Sequence, residues 1–293
     1  MGIIDDIKRD AQGNGSKVQS SEESKLEGIL NKMFYLPKNI DEEVEFVRQV
    51  MTRGLESQER VGLHASAMIV SDKQFCIRQQ VLSLLFKQLQ GEQLPVGLMR
   101  IFEEGNAIHE KWQRLLIRAG YAKAKTLDRT RMDKDYMISY TPDIVARIPE
   151  FYDGAIIGEI KSVNPFQFKK MTSHPTAHKQ LQWYMYLCIK AAKDKKKWNG
   201  IDYKKGFVLC DDKGAQEFKP FVYDYDEEVV APFIDRAESV KYYHGIFIEE
   251  NKMVPRRKEC TSYDCKMAEK CPMKDACWNR GIGRVKINGK GKS

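Results

Sequence analysis

No run of apolar residues in this 293-residue chain approaches the length of about 18 that a membrane-spanning helix needs. The opening MGIIDDIKRDAQGNG lacks the apolar segment of a secretory signal, so the chain is expected to be intracellular and to have no membrane role. It contains no P-loop, and ATP hydrolysis is not expected. It shows no internal repeat either, which sets aside repeat architectures. What is present is a globular balance of 42% hydrophobic and 31% charged residues, in a chain long enough for one or two domains with a substantial core.

Basic residues outnumber acidic ones, 49 to 41, for a formal charge of +8. The excess gathers in KDKKK (193–197), YKK (203–205), VPRRK (254–258) and the tail NRGIGRVKINGKGKS, while acidic residues concentrate in DEEVEF and DYDEEVV. Such a balance is compatible with a nucleic-acid partner without requiring one. The seven cysteines, in a reducing compartment, point to metal ligation or burial rather than disulfides. Four of them, Cys260, Cys265, Cys271 and Cys277, fall within CTSYDCKMAEKCPMKDACW, which reads as a small metal-stapled cap. By themselves these four could hold a structural Zn²⁺. Cys188 and Cys210 fall in a helical and a strand pattern and are expected in the core.

Hydrophobic periodicity divides the chain into a polar N-terminal arm and helix (1–60), a core (61–250), and the cysteine-rich cap with its basic tail (251–293). An amphipathic helix is expected over 39–59, a second over 72–89 capped by Ser71, and a third over 95–120 closing at Gly120. The period then changes to two, with strands expected at 135–148, 155–163, 205–211 and 216–225. A helix over TAHKQLQWYMYLCIKAAKDKK separates the second strand from the third, and another over DEEVVAPFIDRAESVKYYHGIF follows the last. This order implies a mixed α/β fold, one mixed sheet flanked by helices.

Two of these strands are interrupted by charge. In SYTPDIVARIPEFYDGAIIGEIKSV, Asp143 stands inside the run TPDIVARI, and Glu159 and Lys161 stand inside AIIGEIKSV. Strand alternation puts Glu159 and Lys161 on one face, and a hairpin would set Asp143 beside Glu159. Paired carboxylates are costly to bury unless a cation or proton compensates, and an oxygen-rich pocket suits Mg²⁺ or Mn²⁺. A surface salt bridge on an ordinary hairpin would account for the same two strands. His109, in the helix before them, offers an imidazole nitrogen for such a site. Gln180 and Tyr184 are one helical turn apart and share a face, as do Gln182 and Tyr186.

Taken in order, GNAIH (105–109), TPD (141–143), EIK (159–161) and QLQWY (180–184) resemble the motifs of PD-(D/E)XK nucleases of the RecB-like branch. That branch includes CRISPR-associated adaptation nucleases, the AddB nuclease domain and many phage exonucleases. The resemblance spans roughly residues 62–280. It implies a restriction-endonuclease-like core, with His109, Asp143, Glu159 and the backbone carbonyl of Ile160 as Mg²⁺ or Mn²⁺ ligands. Lys161 would position the attacking water, with Gln180 and Tyr184 ordering the site. Many such nucleases carry a [4Fe–4S] cluster on one early cysteine and three late ones, which implies Cys76, Cys265, Cys271 and Cys277 here, with Cys260 as a substitute. The spacing of the late cysteines departs from the family's C-x2-C-x5-C, which keeps structural zinc as the alternative.

The resemblance further implies a phosphodiesterase acting on DNA, single-stranded or at its ends, in recombination, repair or replication. With no motor in the chain, it would stand alone or serve a separate recombination or replication protein, in the cytoplasm (the host's, for a phage-encoded chain). Two rival readings are a non-catalytic nucleic-acid-binding protein on a nuclease scaffold and a redox or zinc-dependent interaction module.

Overall fold

The structure is a computed structural model that describes residues 62–88, 96–124, 127, 129–194, 202–215, 217–278 and 285–287. The arm and helix expected within residues 1–60 lie outside the described residues, as does most of the basic tail. No helix among the described residues is long and apolar enough to cross a membrane.

The central sheet has four strands in the order β5-β6-β7-β8. These are β5 (Ile144–Ala146), β6 (Ile156–Val163), β7 (Lys205–Asp212) and β8 (Phe218–Asp224). β5 and β6 are antiparallel, β6 and β7 parallel, and β7 and β8 antiparallel. The parallel pair requires a long crossover, which α4 (Pro175–Asp194) supplies. Within β6, Gly158 is boxed in: a Cβ there would lie 2.7 Å from the Phe207 ring and 2.9 Å from Ile144, so only glycine admits this close three-strand approach.

Helices cover both faces. α2 (Val96–Arg118) lays Ile108, Trp112 and Leu116 at four-residue spacing against Ile144, Ile160 and Leu209. It closes before Gly120, whose φ of +80° suits the left-handed turn that ends a helix. On the opposite face, Leu181, Tyr184, Met185 and Cys188 of α4 pack with Ile157, Val163, Val208 and Cys210, and α5 (Glu227–Glu250) adds Val230, Phe233, Ala237 and Val240. Cys188 and Cys210 are buried, as their helix and strand patterns imply. A mixed sheet between helices, with TPD immediately before β5 and EIK inside the adjacent β6, is the restriction-endonuclease-like layout that the motifs imply.

The strand segment expected at 135–148 divides between two sheets. β3 (Arg131–Asp133) and β4 (Ile138–Tyr140) pair with each other and with β1 (Leu63–His64) in a separate sheet, ordered β1-β4-β3. Met137 turns at φ 58°, and Pro142, which lacks an N–H, separates β4 from β5. The helix expected from residue 72 also starts late. Ser71 closes a turn with Gln74, and α1 (Ile77–Leu85) begins after Cys76. β2 (Phe86–Gln88) follows and pairs with β9 (Val285–Ile287), bringing the C-terminal segment back to α1. Between α5 and β9 lie α6 (Lys266–Glu269) and α7 (Lys274–Cys277), both in the cysteine-rich segment.

Candidate active site

The β5–β6 register pairs Ile144 with Gly158, and carried one residue further it sets Asp143 across from Glu159. The backbone N–H of Ile160 donates to Asp143 Oδ2 at 2.8 Å, so the residue between Glu159 and Lys161 fixes the aspartate's orientation. From α2, Gln113 donates to the Asp143 carbonyl at 3.0 Å, and His109 Nδ1 lies 3.6 Å from Asp143 Oδ1.

Glu159 is 1% exposed. Its Oε1 accepts from Lys161 Nζ at 2.5 Å, while Oε2 is buried without a hydrogen-bond partner. Burial, and then the charge of Asp143, push its carboxyl up to about 8, against the opposing pull of Lys161. Burial works most strongly against the Lys161 ammonium, yet the charge and hydrogen bond of Glu159, together with the Asp143 charge, outweigh it and hold that group above the usual lysine range. The hairpin therefore carries a pair of carboxylates with one strongly buried oxygen and one cation on the same strand face.

The α4 helix decides between the two glutamine–tyrosine pairs. Gln180 accepts from Lys161 Nζ at 3.3 Å and donates to Tyr184 OH at 3.0 Å, so this pair reaches the site. Gln182 faces the other way. It is fully buried, donates to the Asp224 carbonyl at 2.7 Å and accepts from the Asp226 N–H at 2.9 Å. Tyr186 stacks on Trp183 and bonds the Tyr136 hydroxyl at 3.2 Å.

Three residues near the site were not singled out in the sequence. Gln113 follows His109 by one turn, a spacing that could have marked it. Asp211 is buried at the end of β7 and accepts from Lys111 Nζ at 2.6 Å and Trp112 Nε1 at 2.7 Å, which locks α2 and its His109 to the sheet. Its only signal is a charge at the end of an apolar strand (KGFVLCDD), a weaker mark than the charge inside the strand at Glu159. His174 caps the start of α4, and burial followed by the nearby Lys161 charge keeps its imidazole below the usual histidine range.

The donor types suit a divalent ion, because a buried Glu159 oxygen has no hydrogen-bond partner and a second carboxylate, Asp143, stands across the hairpin. As the groups stand, Lys161 engages Glu159 Oε1 and Ile160 holds Asp143 Oδ2. Among the described residues no three His, Cys, Asp or Glu side chains converge on one point.

The cysteines lie elsewhere. Cys76, Cys260, Cys271 and Cys277 line a cavity of about 350 Å³, together with Arg78 and Arg256. Cys265 is not among its lining residues. Its sulfur instead caps α6, accepting from the Ala268 N–H at 3.4 Å, with Cys260 Sγ 4.0 Å away. The structure thus puts Cys260 with the early cysteine, where the set implied by the family resemblance has Cys265 and keeps Cys260 as a substitute. Arg78 Nε donates to Cys277 Sγ at 3.1 Å and its guanidinium also bonds the Val254 and Cys277 carbonyls, tying α1 to the C-terminal segment.

No protein-family model and no curated protein matches this chain. Among solved structures, LHK-Exo of Laribacter hongkongensis in complex with dAMP is similar at 14% identity and a TM-score of 0.44, covering 65% of this chain and 91% of that one. A phage-related exonuclease from Haemophilus somnus 129PT is similar at 14% identity and 0.42, covering 66% and 97%. SSO0001 is similar at 15% identity and 0.40, covering 79% and 96%.

Proposed function

We propose that this chain is a divalent-metal-dependent deoxyribonuclease that works from DNA ends, on single-stranded or frayed DNA. The observation that carries the reading is the buried Asp143–Glu159 pair, with its unpartnered Glu159 oxygen, beside Lys161. Asp143 and Glu159 would hold Mg²⁺ or Mn²⁺, with His109 and the Ile160 carbonyl as further ligands. When bound, the ion supplies a water of lowered pKa and neutralises charge on the scissile phosphate.

The chain's own groups do the rest. Lys161, cationic and anchored on both Glu159 and Gln180, points a fixed ammonium at the oxygen that gains charge, a role that depends on preorganisation. Tyr184 holds Gln180, Ile160 holds Asp143, and Asp211 keeps α2 in register. The four cavity cysteines Cys76, Cys260, Cys271 and Cys277 would hold a [4Fe–4S] cluster, with structural Zn²⁺ as the alternative; either would staple α1 to the C-terminal segment.

The test is digestion of 5′- and 3′-end-labelled single- and double-stranded DNA with Mg²⁺ or Mn²⁺. Progressive shortening from ends is expected, and internal cuts in circular DNA would replace the end-directed part of the reading. Well-folded protein that binds DNA but cleaves none of these substrates would overturn the nuclease assignment. The two glutamines should separate in the same assay. Gln180→Ala is expected to lower cleavage about ten- to a hundredfold through misplacement of Lys161, with stability unchanged. Gln182→Ala should cost about 1–3 kcal/mol in denaturant unfolding, because it removes two hydrogen bonds to backbone groups and a buried side chain, and spare the cleavage rate of the folded fraction.

A further inference from the structure

From β6 the chain enters α3 (Pro165–Lys170), at the carboxyl end of the two parallel strands. This is the edge of an open α/β sheet where ligands most often bind. α3 is firmly held. Asn164 caps it by accepting from Gln167 N at 2.9 Å, and Pro165 occupies its first turn. Phe168 is buried beneath it, while Lys219 donates to the Phe168 carbonyl at 2.6 Å and sits over that ring. The Lys213 N–H donates to the Val163 carbonyl at 3.1 Å, stitching the start of the segment to the β7–β8 turn.

On this rigid platform Phe166 stands 84% exposed, the most exposed large hydrophobic side chain among the described residues. Lone surface hydrophobics are ordinary. Three features set this one apart: it directly follows the strand bearing Glu159 and Lys161, it cannot fold back because its helix is pinned, and it is flanked by cations. Lys169 and Lys170 share its helix, are exposed, and have no carboxylate at ion-pair distance among the described residues. Phe218, 52% exposed, lies on the same edge where β8 begins opposite Asp211.

We infer that Phe166 is a base-stacking residue that receives an unpaired nucleotide of the DNA strand entering the site, with Lys169 and Lys170 on its phosphates. An aromatic face accepts any base, and cations beside it follow the backbone, a combination suited to single strands without sequence preference. A fully paired end would have to fray before a base could reach this ring. The inference rests on the nuclease reading given above, since it takes the strand to be the substrate of the Glu159 site.

The test uses the full chain carrying Glu159→Gln, so that binding is measured without cleavage, and a fluorescein-labelled oligothymidylate as probe. Phe166→Ala in that background is expected to weaken binding at least about fivefold and up to about a hundredfold, with Phe166→Trp restoring it. The slope of log affinity against log salt should stay the same for Phe166→Ala, and should flatten for the Lys169→Ala, Lys170→Ala double variant. A side chain this exposed is expected to leave the melting temperature unchanged. Tight binding by the parent with no loss in Phe166→Ala overturns the stacking inference and leaves the nuclease reading standing. Absence of both DNA binding by the parent and cleavage by wild type removes the two together.

Discussion

Cleavage of end-labelled DNA by Glu159→Gln is expected to fall about a thousandfold or more, with the fold intact. Glutamine matches glutamate in shape, so the closely packed β6 need not move, and its amide oxygen can still accept from Lys161. Its amide nitrogen would face Asp143 as a donor, filling with a hydrogen bond the place where a cation is needed. Lewis-acid stabilisation is worth several kcal/mol, and each decade of rate is about 1.36 kcal/mol. A second readout separates binding from chemistry. Mn²⁺ at about a hundredfold over its Kd should raise the wild-type melting temperature by about 5–10 °C, and the rise should vanish in Glu159→Gln. Lys161→Ala should instead keep a Mn²⁺-dependent rise while losing cleavage, because the ammonium is not a ligand. A Glu159→Gln protein that cuts at the wild-type rate would remove Glu159 from the site.

The sequence made legible the parts that obey strict periodicities. A period of two placed Glu159 and Lys161 on one face, and the hairpin set Asp143 against Glu159 as expected. The α2 and α4 helices were visible in their apolar spacing. Local chemistry that no periodicity encodes was less legible. The break between β3, β4 and β5 depends on one left-handed residue, Met137, and on the missing N–H of Pro142. A two-residue ambiguity on α4 was undecidable from spacing, because Gln180 and Gln182 differ only in which strand they face across the interior. Asp211 was passed over because a charge ending a strand looks like a solvated turn, and only the packed α2 turns it into an anchor for Lys111 and Trp112.

Cysteine placement gives the clearest divergence, and it leads to an expected difference between two neighbouring substitutions. On the proposed cluster or zinc reading, Cys260→Ser should purify without the metal, while Cys265→Ser should retain it. Cys260 lines the cavity with Cys76, Cys271 and Cys277, so on that reading its loss would remove one of the four thiolates a cluster requires. Cys265 already spends its sulfur on the Ala268 N–H at the start of α6, and serine is a preferred residue at that capping position. Its replacement should leave the segment as ordered as before. The measurement is elemental analysis with the visible spectrum of anaerobically purified protein: iron with sulfide and visible absorbance for the cluster, zinc without colour for the alternative. Stability should follow the metal, with Cys260→Ser losing several kcal/mol, because binding to the folded chain alone is folding free energy. Arg78 would still bond the Val254 and Cys277 carbonyls, so α1 and the C-terminal segment should part only locally. The reverse pattern, metal lost from Cys265→Ser and kept by Cys260→Ser, would restore the ligand set implied by the family resemblance and require α6 to give up its cap when the metal binds.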